Sequence, residues 1–278
     1  MTTNLIIGGT GKTGRRVASR LQDRGLPVTA LSRPEFDWAD PTTWSSVEQP
    51  ADTAYVTYYP DLAFPGAPEA VAEVVERMAR NGVRRFVLLS GRGEPEAQRA
   101  EEKLAEVAER FGADWSVVRC AFFMQNIDES LFAPSLEAGR LAFSAGAVRE
   151  PFLDLEDVAE VAVGMLVGEV AVNRVYELTG PELLTFADAT AAIAAATGRE
   201  ITYTEISVPE LVADLTQLGL PAGDAEELGA VFAHILDGHN EHLVDGVREA
   251  LGRPARSFAE YAAHAVAGGA WGGKAATS

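Results

Sequence analysis

Three glycines near the start of the chain have the spacing of a phosphate-binding loop. They lie in NLIIGGTGKTGRRVASRL, residues 4–21, between an apolar run and an amphipathic run. A loop of this kind lets backbone N–H groups and a helix N-terminus face a pyrophosphate without a Cβ in the way. The loop residues concerned are Gly8, Thr10, Gly11, Thr13 and Gly14. The pattern predicts dinucleotide binding, and the alternative is a tight turn without a ligand.

The end of the second apolar run bears on which nicotinamide cofactor binds. An NAD site usually places Asp or Glu there to hold the ribose 2′-hydroxyl. This chain has Ser32 and Arg33 instead. Arg33 can bind a 2′-phosphate, and Lys12 in the loop is a second cation. We therefore expect NADP(H) in preference to NAD(H); the alternative is that Arg33 is a solvated surface residue and Glu35 holds the ribose.

A regular alternation of strands and helices through residue 120 must position this loop. Apolar runs predict strands near 4–8, 27–32, 52–58, 83–89 and 115–119. Helical spacing of apolar residues occurs between them, in the sets Val71, Val74, Val75, Met78 and Leu104, Val107, Ala108, Phe111. This order is typical of an α/β fold with a Rossmann-type, doubly wound parallel sheet.

The second half of the chain is less regular. Helices are predicted in FFMQNIDESL and DLEDVAEVAVGMLV, short strands in GRLAFSAG and RVYELTG, and three or four helices around the strand EITYTEIS from residue 182 onward. We expect an NAD(P)-binding Rossmann domain over 1–150. A mixed segment, 151–270, would complete the sheet and form a smaller, mostly helical substrate lobe, followed by a flexible tail at 271–278.

Composition excludes several classes of function. The 278 residues carry a formal net charge of −18, which disfavours binding to nucleic acid and to anionic membranes. The one cysteine, Cys120, excludes an intramolecular disulfide and a Cys-rich metal site. MTTNLIIGG lacks a basic signal-peptide region, and no apolar run reaches the roughly 18 residues that a membrane helix needs. These features predict a cytoplasmic monomer or homodimer whose partner is a small molecule.

Several stretches resemble the NmrA-like branch of the atypical short-chain dehydrogenase/reductase family, and within it the agroclavine dehydrogenase and festuclavine synthase group with its bacterial relatives. They span nearly the whole chain: GGTGKTGRRVASRL, FDWADPTTW, RRFVLLS, VVRCAFFMQN, FLDLEDVA, GPELLTFADA and GRPARSFAEYA. The resemblance implies a Rossmann domain with a small C-terminal lobe over the nicotinamide. It also implies reduction of iminium, quinone or enone-like acceptors with NAD(P)H, although some members bind the nucleotide only as redox sensors. Cys120 is a departure, because such proteins usually carry proline there.

The chain lacks the Tyr-x-x-x-Lys pair with which short-chain dehydrogenases usually protonate a ketone oxygen. In that pair the lysine lowers the pKa of the phenol so that it can exchange a proton near neutral pH. The lysines are Lys12, Lys103 and Lys274, and none of them follows a tyrosine by four residues. An acceptor that needs little proton assistance, such as an iminium ion or a quinone, is therefore favoured.

Ligands of open α/β sheets lie beyond the C-terminal ends of the strands, so the residues there are candidates for the site. The additional candidates for cofactor binding are Thr57, Ser90 and Gly91. The candidates for the substrate pocket are Tyr58, Tyr59, Cys120, Phe122, Phe123, Met124 and Asn126. Tyr58 is the candidate proton donor, and the alternative is a tyrosine packed in the core. Phe123 and Met124 are equally compatible with core positions.

Two other groups of polar residues invite a catalytic or metal-binding interpretation. Asp154 and Asp157 could act as paired carboxylates, but we expect Asp157 to cap the helix that follows it. His239 and His242 lie three residues apart, and we expect a solvated face and no metal, since no third ligand is evident.

These observations predict an NADPH-dependent reductase that transfers hydride to a cyclic iminium or a quinone/enone-like small molecule. The aromatic segment CAFFM beside the expected nicotinamide position favours an enzyme. The alternative is a nucleotide-sensing regulator without turnover, which binds a partner protein through the same fold.

Overall fold

The computed structural model describes residues 2–130 and 132–272, which form two compact units. Unit 1 comprises Met1–Cys120, Leu155–Leu178 and Asp245–Arg253. Unit 2 comprises Ala121–Asp154, Thr179–Val244 and Pro254–Ser278. The residues expected to complete the sheet thus belong to unit 1, whereas 121–150, which we assigned to the first domain from the sequence, group with unit 2.

The strands are β1 (Asn4–Ile7), β2 (Val28–Leu31), β3 (Thr53–Val56), β4 (Arg85–Gly91), β5 (Asp114–Cys120), β6 (Arg140–Phe143), β7 (Arg149–Glu150), β8 (Arg174–Leu178), β9 (Leu184–Thr185) and β10 (Thr202–Glu205). The helices are α1 (Lys12–Asp23), α2 (Ala67–Arg80), α3 (Pro95–Arg110), α4 (Ala133–Glu137), α5 (Leu155–Val167), α6 (Phe186–Thr197), α7 (Val208–Gln217), α8 (Ala222–Ile235), α9 (Gly246–Leu251) and α10 (Phe258–Ala267). Short 3₁₀ segments occur at Pro41–Val47, Met124–Asn126 and Ala270–Gly272.

Unit 1 is built on a six-stranded parallel sheet in the order β2-β1-β3-β4-β5-β8. The chain adds β2 on one side of β1 and then places β3 on the other side. This reversal is the topological switch point at which doubly wound sheets bind their ligands, beyond the carboxyl ends of the strands. The predicted doubly wound parallel sheet is confirmed.

Both faces of this sheet are covered by helices, because alternate side chains of a strand point to opposite faces. Ala54 and Val56 pack in the core that includes α2 and α3, while Tyr55 between them is equally buried. On the other side α1 packs with α5. The predicted apolar stripe of α2 is confirmed, since Val71, Val74, Val75 and Met78 are all 0% exposed.

Unit 2 is mostly helical around an aromatic core. Its strands form two small sheets, a parallel pair of β6 with β10 and an antiparallel pair of β7 with β9. The rings of Phe143 and Phe186 stack with their centroids 4.8 Å apart. Phe122, Phe152 and Phe232 surround them. Within the described part of the chain no helix is both long enough and apolar enough to span a bilayer.

The helix predicted in FFMQNIDESL is wrong. Of its described residues, 122–130, only Met124–Asn126 form a helical turn, a 3₁₀ turn, because the backbone before it is held extended by pairing with Leu153. The N–H of Met124 donates to the carbonyl of Leu153, and the N–H of Leu153 donates to the carbonyl of Phe122. The non-local strand-like bridge therefore overrides the local helical pattern.

Two further details differ from expectation after residue 182. Five helices, α6 to α10, follow where three or four were expected, and the short α9 lies in unit 1. Of the predicted flexible tail, Trp271 is only 1% exposed and packs edge-on against Tyr261, so the expectation is wrong for this residue. Residues 273–278 of the predicted tail lie outside the described residues.

Candidate functional site

The loop between β1 and α1 has a backbone that requires its glycines. Gly8 has a φ of +78°, in the left-handed region that favours glycine. A Cβ added to Gly14 would lie 2.2 Å from the carbonyl oxygen of Gly8, and one on Gly9 would lie 2.5 Å from the Cβ of Ala30. The backbone of the loop thus lies so close to helix α1 and to β2 that a residue with a Cβ would clash at Gly9 or Gly14.

Hydrogen bonds join this loop to the end of β2. The N–H groups of Gly8 and Gly9 donate to the carbonyl of Leu31, at 2.9 and 3.0 Å. The N–H and the hydroxyl of Thr10 both lie 3.0 Å from the Oγ of Ser32 and donate to it. Residue 33 follows directly, so the structure places Arg33 beside the glycine loop.

Helix α1 begins at the loop with an N-terminus suited to an anion. Its N-cap is Gly11, which has no side chain that could cap the helix, and its first turn contains no acidic residue. Helix geometry leaves the first N–H groups without an intrahelical acceptor, and the helix dipole makes this end positive. Lys12 is the first helical residue, while Thr13 is buried. The space that a Cβ would fill and the charge of the first turn both fit a pyrophosphate.

Arg33 is exposed and lies over the ring of Tyr59. The guanidinium carbon is 4.7 Å from the ring centroid, a cation–π distance, and Tyr59 is 56% exposed. Tyr59, which we predicted in the substrate pocket, therefore contacts the residue predicted to bind the 2′-phosphate. The role of Tyr59 in the substrate pocket stays a prediction.

Thr57 and Tyr58 follow β3 and make contacts within unit 1. The hydroxyl of Thr57 donates to the carbonyl of Ile7 at 3.0 Å, directly before the glycine loop. The half-buried ring of Tyr58 lies 4.8 Å from that of Trp38, between centroids. Burial raises the pKa of Tyr58, whereas an acid that works near neutral pH needs a lowered phenol pKa. The geometry favours a packing role for Tyr58, against Trp38, over a role as proton donor.

At the end of β4, the side chain of Ser90, a predicted cofactor-binding residue, is hydrogen-bonded to another side chain of the protein. Its side chain is buried, and its hydroxyl donates to Oε1 of Glu101 at 2.6 Å. Glu101 also accepts from Nε of Arg119 at 2.9 Å. The Ser90 hydroxyl is thus part of a buried polar network, and the role of Ser90 in cofactor binding stays a prediction.

Glu94 is the residue at this edge that the sequence reasoning missed. It follows β4 by three residues, is 8% exposed, and lies so close to Gly91 that a Cβ there would be 1.9 Å from its Oε2. Burial, and then the charges of Asp61 and Glu101, raise the pKa of Glu94 well above its ordinary value. The available signal was a carboxylate just after a strand end, in SGRGE.

Cys120 ends β5 and is 4% exposed. Burial, and then the charges of Glu94 and Glu101, raise its thiol pKa well above the ordinary value. A nucleophilic cysteine needs the thiolate, so this environment disfavours a reactive thiol, while the place of Cys120 in the substrate pocket stays a prediction.

In unit 2, the predicted pocket residues Phe122 and Met124 are core residues. Phe122 packs against the rings of the aromatic core, and Met124 is 0% exposed. Phe123 and Asn126 are half-buried, and their role in substrate binding stays a prediction.

The expectation that Asp157 caps a helix is wrong. Helix α5 begins at Leu155, so Asp157 lies within its first turn, where it is 0% exposed and pairs with Arg253 at 2.8 Å. Asp154 accepts a hydrogen bond from the amide of Gln125 at 2.7 Å. Across 2–130 and 132–272, no group of three or more His, Cys, Asp or Glu residues is arranged to hold a metal ion.

Comparisons with known proteins find relatives along nearly the whole chain. The chain is 31% identical over 270 residues to the uncharacterized oxidoreductase YesF of Bacillus subtilis (strain 168), covering 93% of each chain. It is 30% identical over 292 residues to an NAD(P)H azoreductase of Xenophilus azovorans, covering 96% of this chain and 99% of that one. It is 28% identical to an agroclavine dehydrogenase of Claviceps fusiformis, covering 93% of this chain and 96% of that one.

Two further comparisons concern the fold. A family model described as a CoA binding domain matches residues 3–126. The crystal structure of an NADPH-dependent quinone oxidoreductase from Escherichia coli complexed with NADPH has a TM-score of 0.72 at 20% identity, covering 94% of this chain and 99% of that chain. Together with the relatives above, the glycine loop and the strand order show that the chain belongs to the NmrA-like branch of the atypical short-chain dehydrogenase/reductase family of oxidoreductases.

Proposed function

We propose that this protein is an NADPH-dependent reductase that transfers hydride to an activated small-molecule acceptor, without a Tyr-x-x-x-Lys pair. Its relatives named oxidoreductase and NAD(P)H azoreductase support an NAD(P)H-dependent oxidoreductase. The proposal goes further in two respects, the preference for NADPH and the class of acceptor.

The observation that carries the proposal is the geometry around the glycine loop. Gly14 lacks a Cβ and can therefore lie close to Gly8. The N-terminus of helix α1 then faces the carboxyl edge of the sheet, at the switch point between β1 and β3. Arg33 lies beside the loop and over Tyr59. A cation held there suits a 2′-phosphate, which a carboxylate would repel.

The residues of unit 1 have distinct tasks in this function. The loop and the first turn of α1 bind the pyrophosphate, and Arg33 with Lys12 binds the 2′-phosphate. Thr57 holds the loop in place through the carbonyl of Ile7. When bound, the nicotinamide supplies the hydride. The protein contributes chiefly binding and orientation, and orientation alone can lower a barrier by several kcal/mol.

The proposed class of acceptor follows from how much proton assistance each acceptor needs. A cyclic iminium ion is already cationic, so hydride addition yields a neutral amine without an acid. Quinone, enone and azo acceptors also accept hydride readily but leave a heteroatom that must gain a proton. The names of the azoreductase and quinone oxidoreductase relatives support such flat, activated acceptors.

The test is binding followed by turnover with the purified protein. Intrinsic fluorescence would be titrated with NADPH, NADP and NADH. Consumption of NADPH would then be measured with a cyclic N-alkyl iminium salt, a benzoquinone and an azo dye. We expect tighter binding of NADPH than of NADH, and turnover with at least one acceptor.

Each other outcome decides against part of the proposal. Equal affinity for NADH and NADPH would contradict the 2′-phosphate site. Tight binding without turnover on any acceptor would favour a redox-sensing regulator. Absence of binding would reduce the glycine loop to a turn.

A further inference from the structure

The carboxyl group of Glu94 lies at the carboxyl end of β4, directly over Gly91. A Cβ on Gly91 would be 1.9 Å from Oε2, 2.3 Å from Oε1 and 2.2 Å from the carboxyl carbon of Glu94. The whole carboxyl group thus occupies the space that glycine leaves at the last residue of the strand. Glu94 is also the N-cap residue of α3, yet its side chain makes no capping hydrogen bond.

This carboxyl group is buried beside other acidic groups. Glu94 is 8% exposed, and among the described residues its carboxyl has no hydrogen bond or ion pair. Asp61, from the segment between β3 and α2, and Glu101 of α3 both act on it electrostatically. Cys120 of β5 is the third titratable group near it.

The cations near this edge are engaged with other carboxylates. Arg119 pairs with Glu101, and Nε of Arg92 donates to Glu177 at 2.6 Å. A buried carboxyl group without a cation, next to like charges, is stable mainly in its neutral form. In that form such a group is a hydrogen-bond donor and a proton source.

The position of Glu94 relative to the sheet suits proton transfer. A dinucleotide lies across the switch point, and its pyrophosphate occupies the loop after β1. Its adenosine half then lies toward β2 and Arg33, which leaves β3, β4 and β5 for the nicotinamide half. Glu94 follows β4, the central strand of these three.

We propose that Glu94 donates the proton that completes the reduction of a neutral acceptor, a role that rests on the proposed reductase function. The acceptor gains a hydride, with its two electrons, at one atom, and a lone pair develops on the conjugated oxygen or nitrogen. The O–H bond of Glu94 breaks and the proton bonds to that heteroatom. The carboxylate that remains regains a proton from water, and its burial favours the return of the proton.

Comparing the reduction rates of two acceptors distinguishes proton donation by Glu94 from a structural role. A neutral quinone needs the proton, whereas an N-alkyl iminium ion does not. General acid catalysis typically contributes 10²–10⁴-fold, so we expect Glu94→Gln to slow quinone reduction by roughly 100-fold and to leave iminium reduction within about threefold. The matched control is Glu102→Gln, the same change at an exposed residue of α3, which should alter neither rate.

A second readout does not depend on turnover. Infrared difference spectra of the protein without cofactor, labelled with ¹³C at glutamate carboxyl groups, report protonated carboxyl groups through their C=O stretch. We expect a protonated-carboxyl band at neutral pH that is absent from Glu94→Gln and present in Glu102→Gln. Its absence from the wild-type protein would overturn the proposal.

The kinetic outcomes distinguish the two proposals. Undiminished quinone reduction by Glu94→Gln would overturn the proton donor and leave the reductase function intact. Equal slowing with quinone and iminium would show a structural role and would also overturn it. Failure of the wild-type protein to reduce either acceptor would contradict the reductase function itself, and the proton donor with it.

Discussion

The guanidinium group of Arg33 lies over the ring of Tyr59, with 4.7 Å between the guanidinium carbon and the ring centroid. Arg33 follows β2 and Tyr59 follows β3, so the pair joins two loops on either side of the glycine loop. An arginine held by an aromatic face loses less conformational entropy when it binds a phosphate. Tyr59 is therefore a positioning residue for the proposed 2′-phosphate site.

This arrangement makes cofactor preference depend on both residues. Arg33→Gln should weaken NADPH binding about tenfold or more, since a charged hydrogen bond contributes about 1.5–3 kcal/mol, and should leave NADH binding unchanged. An exposed cation–π contact contributes about 0.5–1 kcal/mol, so Tyr59→Ala should weaken NADPH binding by roughly two- to fivefold. Tyr59→Phe should retain it. Fluorescence titration measures all three, with Arg80→Gln on the exposed surface of α2 as the control. An unchanged preference in Arg33→Gln would remove this residue from the site.

The close approach of Gly14 to Gly8 predicts a loss of nucleotide binding in Gly14→Ala. The added methyl group would lie 2.2 Å from the Gly8 carbonyl oxygen and 2.8 Å from its carbon, so the loop must move. Gly223→Ala, on α8, is the matched control because no atom lies within 4 Å of its Cβ position. Alanine is favoured over glycine in helices by up to ~1 kcal/mol, so this control should bind normally and be no less stable. Normal NADPH affinity in Gly14→Ala would contradict the proposed cradle.

The packing of Tyr58 predicts that its hydroxyl is dispensable. Its ring lies 4.8 Å from Trp38, and burial raises its pKa, so the group stays protonated. Tyr58→Phe should keep kcat with both quinone and iminium acceptors within about threefold, because it removes no acid that takes part. Steady-state kinetics check this outcome. A large loss of kcat with the quinone alone would return Tyr58 to the role of proton donor.

Burial of Glu94 predicts a pH dependence of stability. Its pKa is raised in the folded protein, so as pH increases above the ordinary value of 4.5 the unfolded chain loses this proton first. Stability from this group is complete below that value and is lost as pH rises toward the folded pKa. Glu94→Gln cannot lose a proton, so its Tm relative to wild type should increase as pH rises above 4.5 toward the folded pKa of Glu94. A pH-independent difference in thermal melts would contradict a raised pKa; Glu102→Gln serves as the control.

The pair of Asp157 with Arg253 predicts a large loss of stability in Arg253→Ala. Asp157 is 0% exposed and would lose this ion-pair partner, and removal of one partner of a buried pair typically costs about 3–5 kcal/mol. Arg248→Ala removes an exposed arginine 3.9 Å from Asp245 and should cost less than about 1 kcal/mol. Urea unfolding measures both. Equal stabilities of the two variants would show that the ion pair of Asp157 with Arg253 contributes no more to stability than an exposed pair.

Local patterns were sufficient to predict most of unit 1. The stripes on α2 and α3 and the apolar strand runs report burial directly, because each element has one fixed period. The pattern failed at FFMQNIDESL, where pairing with a distant strand-like segment at Leu153 decides the backbone. It failed likewise at Asp157, whose partner Arg253 is 96 residues away.

The sequence by itself determined the glycine loop, the cation at Arg33 and the missing Tyr-x-x-x-Lys pair, since these depend on residue type and short spacing. Only the tertiary structure decided which polar groups remain available for chemistry. It enclosed Ser90 in a network with Glu101, buried Cys120, stacked Tyr59 on Arg33 and placed Glu94 over Gly91 beside Asp61. The physical reason is that burial and neighbouring charges set the protonation and reactivity of a side chain, and both arise from residues far apart in the chain.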